Sequence, residues 1–312
     1  MRMTVINIKS CQPAVFLTLL LFCLTPYASP PLALALGLGL AFTLGHPWRD
    51  KNSLAVKYFL QFSVVGLGFG MNFGEVLAVS RTGVVFTAVS IFGTLASGWL
   101  IGKWLKVDNT TSHLISSGTA ICGGSAIAAI APIVNADEKE ITVALGTVFI
   151  LNSVALFLFP PIGHFFSLTQ GQFGLWSAIA IHDTSSVVGA AARYGPEALK
   201  IATTIKLTRA LWIIPLSLGA AFIFKNKTAK ISTPYFIFAF AAASLTVSAF
   251  PSFGPVYSGI TRAARTGLTI SLFLIGAGLS RDTIQAIGLK PVLQGVTLWA
   301  LVSSASLFAI TR

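Results

Sequence analysis

Residues 116–129 read SSGTAICGGSAIAA and lie in an apolar segment that runs from about residue 113 to 133. A helix that faces lipid contains fewer glycine and serine residues than this stretch does. The pair Gly123-Gly124 favours a break in the helix, and unwound backbone at that depth is tolerated only within protein or beside a water-filled cavity. A helix that restarts at Ser125 would aim N–H groups at the break, which suits an anion. The alternative is that these small residues only allow close helix crossing.

The rest of the chain is similarly apolar. Of its 312 residues, 54% are hydrophobic and 10% are charged, and the mean hydropathy is +0.82. Because a soluble domain carries about 25% charged residues, this composition excludes a soluble enzyme, a disordered chain and a secreted disulfide scaffold. The three cysteines show no paired or metal-ligand spacing, so we expect no metal and no cofactor. The net charge of +12 fits basic loops beside lipid headgroups better than a nucleic-acid partner.

A count of apolar windows of about 20 residues predicts an all-α polytopic membrane protein with about 10–11 transmembrane helices, in one domain over 1–312. The first window follows Arg2 and Lys9 and resembles a signal peptide, but we favour an uncleaved first helix within 1–30. We expect the chain to lie in the inner (cell) membrane as a multi-pass protein. The eleven segments are 13–29, 31–45, 54–70, 83–104, 113–133, 141–160, 172–192, 199–223, 233–250, 264–279 and 291–311.

One motif occurs twice in the chain. Val65–Phe69 reads VGLGF and Ile275–Leu279 reads IGAGL; each is followed by a short polar link and then by a long apolar span. The second link includes Ser280 to Thr283. The two copies lie in the third and tenth predicted segments, and this odd offset of seven implies opposite orientations, as in the inverted repeats of transporters. The alternative is a chance likeness between two glycine-rich helix ends.

The seventh segment contains the polar run His182-Asp183-Thr184-Ser185-Ser186 between apolar stretches. An aspartate at the middle of a span costs about 2.5–3.5 kcal/mol on insertion scales, so such residues normally face the bundle interior and mark an ion or proton route. We therefore predict a second broken helix here. The alternative is a His-Asp pair at the mouth of a loop.

Three polar residues of the eighth segment, Thr203, Lys206 and Arg209, fall on one helical stripe. The two cations could pair with Asp183, or they could hold an anionic substrate. Snorkelling to the interface is the alternative. Asn152, a lone polar residue of the sixth segment, could reach the same cavity or make a helix-helix hydrogen bond.

The stretch GTAICGGSAIAA at 118–129, followed by His182-Asp183 and by KLTR at 206–209, resembles the YeiH-type membrane proteins, which carry the label of sulfate exporters. The resemblance runs from about Phe42 to the C-terminus. That family is similar in fold to sodium/proton antiporters and bile-acid transporters, so the resemblance implies an inverted repeat and two broken crossing helices. This chain has Gly123-Gly124-Ser125 where the family pattern has Gly-Ala-Ser or Gly-Asn-Ser.

Together these features predict a secondary transporter for a small anion, such as sulfate or an organosulfonate, coupled to protons or sodium. We assign His182 and Asp183 to coupling, and no residue to catalysis. The predicted partners are the anion and membrane lipid, with a homodimer left open. The predicted substrate-binding residues are Cys122, Gly123, Gly124, Ser125, Asn152, Lys206 and Arg209.

Three other functions compete with this one. A cation/proton exchanger of the same fold would use Asp183 as its ion-binding residue. An intramembrane serine protease would use Ser125 as nucleophile and His182 as base, although eleven spans are too many for that class. A channel or scaffold is the third alternative, although no ring of pore-lining residues is evident.

Overall fold

The computed structural model describes residues 8–224, 235–279 and 288–312. Within these residues the chain is α-helical, with one short 3₁₀ helix at Pro251–Phe253 and no strand. The helices are α1 Ile8–Phe22, α2 Pro30–Thr43, α3 Arg49–Gly68, α4 Phe73–Leu105, α5 Asn109–Ala120, α6 Gly124–Ile130, α7 Glu138–Phe165, α8 Gln170–Ala180, α9 Thr184–Tyr194, α10 Pro196–Ala210, α11 Ile213–Ile223, α12 Tyr235–Ala249, α13 Gly254–Gly278 and α14 Leu289–Thr311.

The prediction of an all-α polytopic membrane protein is confirmed, and each of the eleven apolar segments contains a helix or a pair of helices. The number of spans is smaller than predicted. By length and apolar composition, the described residues hold four spanning helices, or up to six if two strongly bent helix pairs each count as one span. The predicted 10–11 spans are not reached because α1 and α2 are only 15 and 14 residues long, and because α5 and α8 end after 12 and 11 residues.

Local capping residues mark the starts of α7, which follows the fifth segment, and of α8, which begins the seventh. Asp137 and Glu140 form a reciprocal capping box at the start of α7. Thr169 and Gln172 form a second one at the start of α8. Such boxes satisfy two of the amide donors that a helix start otherwise leaves without partners. The local sequence therefore determines where these two helices begin.

The small residues of α4 and α5 hold these two helices close together. A side chain at Gly98 or Gly102 of α4 would overlap Ser116 or Ser112 of α5. Gln294 of α14 completes this contact, because its Nε2 donates to the Gly98 carbonyl at 3.1 Å and to the Ser112 hydroxyl at 2.7 Å. The first half of the small-residue stretch thus allows close helix crossing, as the alternative interpretation predicted, and only its second half contains a break.

The two copies of the repeated motif lie at corresponding places. Val65–Gly68 ends α3 and Ile275–Gly278 ends α13, and these helices pack against each other with Gly66 near Ala264. The polar link of the second copy, Ser280 to Thr283, lies outside the described residues. The inverted repeat therefore stays a prediction.

The first apolar helix packs onto the rest of the bundle. Phe16 of α1 is buried, with its ring 5.3 Å from that of Phe273 in α13. Gln12 of the same helix donates to the Leu44 carbonyl at 2.9 Å. These contacts agree with a first helix that remains part of the folded protein, which stays a prediction.

Candidate functional site

The first break separates α5 from α6. Gly123 has φ +65° and ψ −122°, a conformation that is essentially restricted to glycine. A Cβ at this position would lie 3.2 Å from Val148 Cγ1 and 3.3 Å from Asp183 Cβ. The predicted break is therefore present, and the helix restarts at Gly124 rather than at Ser125. The contact with Asp183 also shows that this break lies directly against the second one.

The second break separates α8 from α9. Asp183 caps α9, because its carboxylate accepts hydrogen bonds from the Ser186 amide at 2.7 Å and from the Ser186 hydroxyl at 2.9 Å. Asn152 of α7 holds the extended residues, since its Oδ1 accepts from the amides of His182 at 3.0 Å and Asp183 at 3.3 Å. The second broken helix is thus present as predicted, and Asn152 binds its backbone.

Arg209 of α10 joins the C-terminal ends of the two helices that precede the breaks, α5 and α8. Its Nε donates to the Ala120 carbonyl at 2.6 Å and its Nη2 to the Thr119 carbonyl at 3.5 Å, both at the end of α5. Its Nη1 donates to the Ile179 carbonyl at 2.8 Å, near the end of α8. The last carbonyls of a helix have no partner in the helix and carry partial negative charge, so a cation there is stabilising.

Lys206 lies one turn before Arg209, and its hydrogen bonds within the described chain go to the second break. Its Nζ donates to the carbonyl of Ile181 at 2.7 Å and to that of Ala178 at 3.3 Å. Neither cation lies within 4 Å of the Asp183 carboxylate, although all three side chains are described. Of the two possibilities that the sequence left open for these cations, direct pairing with Asp183 is not formed within the described chain, and both cations bind helix-end carbonyls instead.

The junction of the two breaks is buried and formally positive. Lys206 and Arg209 are fully buried, and Asp183 is 8% exposed. Two cations and one carboxylate leave a formal charge of +1. Burying a charge without a counter-ion is costly, so this arrangement favours the binding of an anion.

Unpartnered polar atoms belong to the same region. Within the described chain, His182 has no hydrogen-bond partner at either ring nitrogen, Asn152 has none at Nδ2, and the hydroxyls of Ser117 and Thr119 have none. All four residues are buried. Because most buried polar atoms in proteins are hydrogen-bonded, such a concentration marks a place where a ligand or water completes the bonding.

Comparison with known proteins identifies the family. The profile described as Conserved hypothetical protein 698 matches residues 15–293. The chain belongs to this family. Similar proteins named UPF0324 membrane protein include one from Bacteroides thetaiotaomicron that is 52% identical over 96% of this chain and 95% of the relative. Another from Porphyromonas gingivalis is 55% identical over 91% of this chain and 87% of the relative. No solved structure matches the chain.

The description of these relatives as membrane proteins agrees with the apolar helices of this chain, and together they support a multi-pass membrane protein.

The structure brings together most of the residues predicted for the site. Gly123, Asn152, His182, Asp183 and the two cations meet at the junction, and Cys122 is buried within the first break. Gly124 is half-buried and Ser125 is exposed, and the described chain contains no hydrogen bond between Ser125 and His182. A Ser125-His182 pair of the protease type is thus not formed.

Sequence reasoning missed part of the site. Thr119 and Ser117 were counted only among the small residues, yet their hydroxyls have no partner in the described chain. The carbonyls of Thr119, Ala120 and Ile179 were also missed. A backbone carbonyl leaves no mark in a sequence, whereas the hydroxyls beside a predicted break could have been singled out.

Proposed function

We propose that the chain is a secondary transporter that binds a small anion at the junction of its two helix breaks. Its resemblance to the YeiH-type proteins supports this proposal, and so does the transporter-like pairing of two discontinuous helices. The observation that carries it is the buried pair Lys206 and Arg209 beside the single carboxylate of Asp183. Sulfate and organosulfonates are the first candidates because their oxygens accept several charge-assisted hydrogen bonds.

The fixed cations also favour an anion over a cation as the transported ion. In transporters with broken helices, unwound carbonyls and half-helix C-termini commonly coordinate Na⁺. Here Arg209 and Lys206 already donate to five such carbonyls, those of Thr119, Ala120, Ala178, Ile179 and Ile181. The side chains of Arg209 and Lys206 thus occupy the carbonyl sites that a transported cation would need.

The anion would be held chiefly by side chains. The helix after the first break, α6, has only seven residues, which is too short for a strong dipole at its N-terminus. The unpartnered groups of Asn152, His182, Thr119 and Ser117 supply donors that can rotate towards a ligand. Proton coupling through His182 and Asp183 remains part of the proposal, since both are buried at the junction.

The test is an anion screen on the purified full chain, followed by flux in proteoliposomes. A ligand that binds only the folded protein raises its melting temperature, so sulfate, sulfite, thiosulfate, taurine, phosphate, chloride and carboxylates are titrated in turn. We expect one anion class to raise the melting temperature and to be transported. A response to sodium or to pH alone would favour the cation/proton exchanger instead.

The variant Thr119→Val locates the binding site. It removes an unpartnered hydroxyl and keeps the shape of the side chain, so the protein should fold normally but bind the anion more weakly. Thr269→Val is the matched control, because Thr269 is also buried but donates its hydroxyl to its own helix in α13. Equal anion affinity in the two variants would contradict the proposed site.

A further inference from the structure

A second cationic cleft lies away from the helix breaks. It has a volume of about 550 Å³ and opens between the link from α3 to α4, the 3₁₀ turn after α12, and the first half of α13. Arg262 and Arg265 of α13 line it, three residues apart on one helix face. Both arginines are exposed, and no hydrogen bond or ion pair joins either guanidinium group to another described residue.

Two aromatic residues, Phe69 and Tyr257, also line the cleft. Their rings stack with the centroids 5.7 Å apart, and the ring of Phe253 lies 6.4 Å from that of Tyr257. Phe250, Phe253 and Val256, which lie close to Tyr257 in the chain, are each more than half exposed, and we call these three residues the apolar ledge. A paired cationic site next to an apolar ledge matches the two parts of an anionic amphiphile.

The hydroxyl groups of the cleft already have partners. Those of Tyr257, Ser258 and Thr261 donate to the carbonyls of Phe250, Pro255 and Tyr257. Within the described chain, the charged donors that the cleft offers to a ligand are therefore the two guanidinium groups. They offer planar, forked donor geometry that suits the oxygens of a phosphate or a similar oxoanion.

We infer that this cleft binds a phosphate-type oxoanion, presented by the headgroup of an anionic lipid whose chains lie along the ledge. The site is distinct from the helix junction and does not depend on the proposed transport. It is nevertheless linked to it by Met71, which lines the cleft, and whose Sδ lies 3.9 Å from the Thr204 hydroxyl on α10. Because α10 also carries Lys206 and Arg209, a bound headgroup would stabilise the link between α3 and α4, which contacts that helix through Met71.

The experiment is a melting-temperature titration of the purified full chain in a zwitterionic detergent. The probes are dioctanoyl phosphatidylglycerol, dioctanoyl phosphatidylcholine and inorganic phosphate. We expect the glycerol lipid to stabilise the protein and the choline lipid not to. In Arg262→Gln/Arg265→Gln, we expect the affinity for the glycerol lipid to fall roughly 25-fold, because each exposed cation near an anionic lipid contributes about fivefold.

Control variants make the result specific. Arg81→Gln/Arg193→Gln loses the same charge from two exposed arginines outside the cleft and should bind like the unmodified chain. Thr119→Val should also keep lipid affinity, which separates this inference from the proposed anion site. Stabilisation by phosphate alone, lost in the Arg262/Arg265 variant, would indicate a free oxoanion as the ligand. The inference would be overturned if the two lipids raised the melting temperature equally and phosphate had no effect. It would also be overturned if the cleft variant and its charge-matched control bound the glycerol lipid with equal affinity.

Discussion

The two helix breaks touch each other but are stabilised in different ways. At the second break, Asp183 caps α9, and Asn152 binds the two amides at His182 and Asp183. At the first break, no side chain caps α6, and the turn depends on the positive φ of Gly123. The second break thus has a side-chain cap and a side-chain acceptor for its amides, whereas the first depends on one glycine and on Arg209, which also binds the second break.

This difference bears on which part of the site can change shape. A segment fixed by several buried hydrogen bonds opens at a higher free energy than one with few. We therefore expect the first break to be the more adaptable of the two and the second to act as the fixed frame. Substitutions that affect one break or both can test this division.

The largest effect is expected at Arg209, because it supports both breaks. Arg209→Leu leaves the carbonyls of Thr119, Ala120 and Ile179 without their donor. A buried polar group that loses its partner costs about 1–3 kcal/mol, so the total loss should be about 3 kcal/mol or more. Yield and melting temperature in detergent should both fall strongly.

Two matched variants sharpen the result at Arg209. Arg209→Lys keeps the charge but cannot reach both helix ends with one amine, so it should recover only part of the stability. Lys206→Met affects the second break alone and should cost less than Arg209→Leu. A smaller loss for Arg209→Leu than for Lys206→Met would contradict the assignment of Arg209 to both breaks.

The next effect is expected at Asn152, on which the second break depends. Asn152→Leu removes the acceptor for two buried amides and should cost about 2–6 kcal/mol, at about 1–3 kcal/mol for each. The measurement is the shift in melting temperature, together with amide hydrogen exchange at residues 181–184. Asn152→Asp retains an oxygen acceptor and is the control, which should protect these amides better than Leu does.

A smaller effect is expected at the first break. Gly123→Ala places a Cβ in a backbone conformation that disfavours it and close to Val148 and Asp183, at a cost of about 1–3 kcal/mol. Gly124→Ala is the matched control, because Gly124 is helical and the new Cβ would meet only the ends of two side chains, Phe149 Cζ at 3.3 Å and Leu145 Cδ2 at 3.4 Å. Equal melting temperatures for the two variants would show that the turn does not depend on Gly123.

The sequence predicted the breaks well because their cause is local. Gly123-Gly124 and the run from His182 to Ser186 mark the unwound residues, and Asp183 is an ordinary N-cap residue. The apolar windows likewise located helices in all eleven segments. Among the described residues, fewer helices are long and apolar enough to span a membrane than the windows predicted, because a window measures apolar length without showing where a helix ends.

The partners of the two cations could not be predicted in the same way. From the sequence, the predicted partner of Lys206 and Arg209 was Asp183 or an anionic ligand, because a sequence shows charged side chains but not the positions of carbonyls. The observed acceptors are carbonyls that become exposed only where α5 and α8 end side by side. Their position depends on packing between helices that are far apart in the chain.

The smallest effect is expected at Asp183, where the sequence and the structure lead to different predictions. If Asp183 neutralised Lys206 or Arg209, Asp183→Asn would lower the protein yield by leaving a buried cation unpaired. In the structure the carboxylate instead contacts Ser186, and asparagine is an equally good N-cap residue. We therefore expect Asp183→Asn to cost less than about 1 kcal/mol, and Asp183→Ala to cost about 1–2 kcal/mol because the cap is lost. A strong fall in melting temperature for Asp183→Asn, equal to that for Asp183→Ala, would show that the charge rather than the cap stabilises the second break.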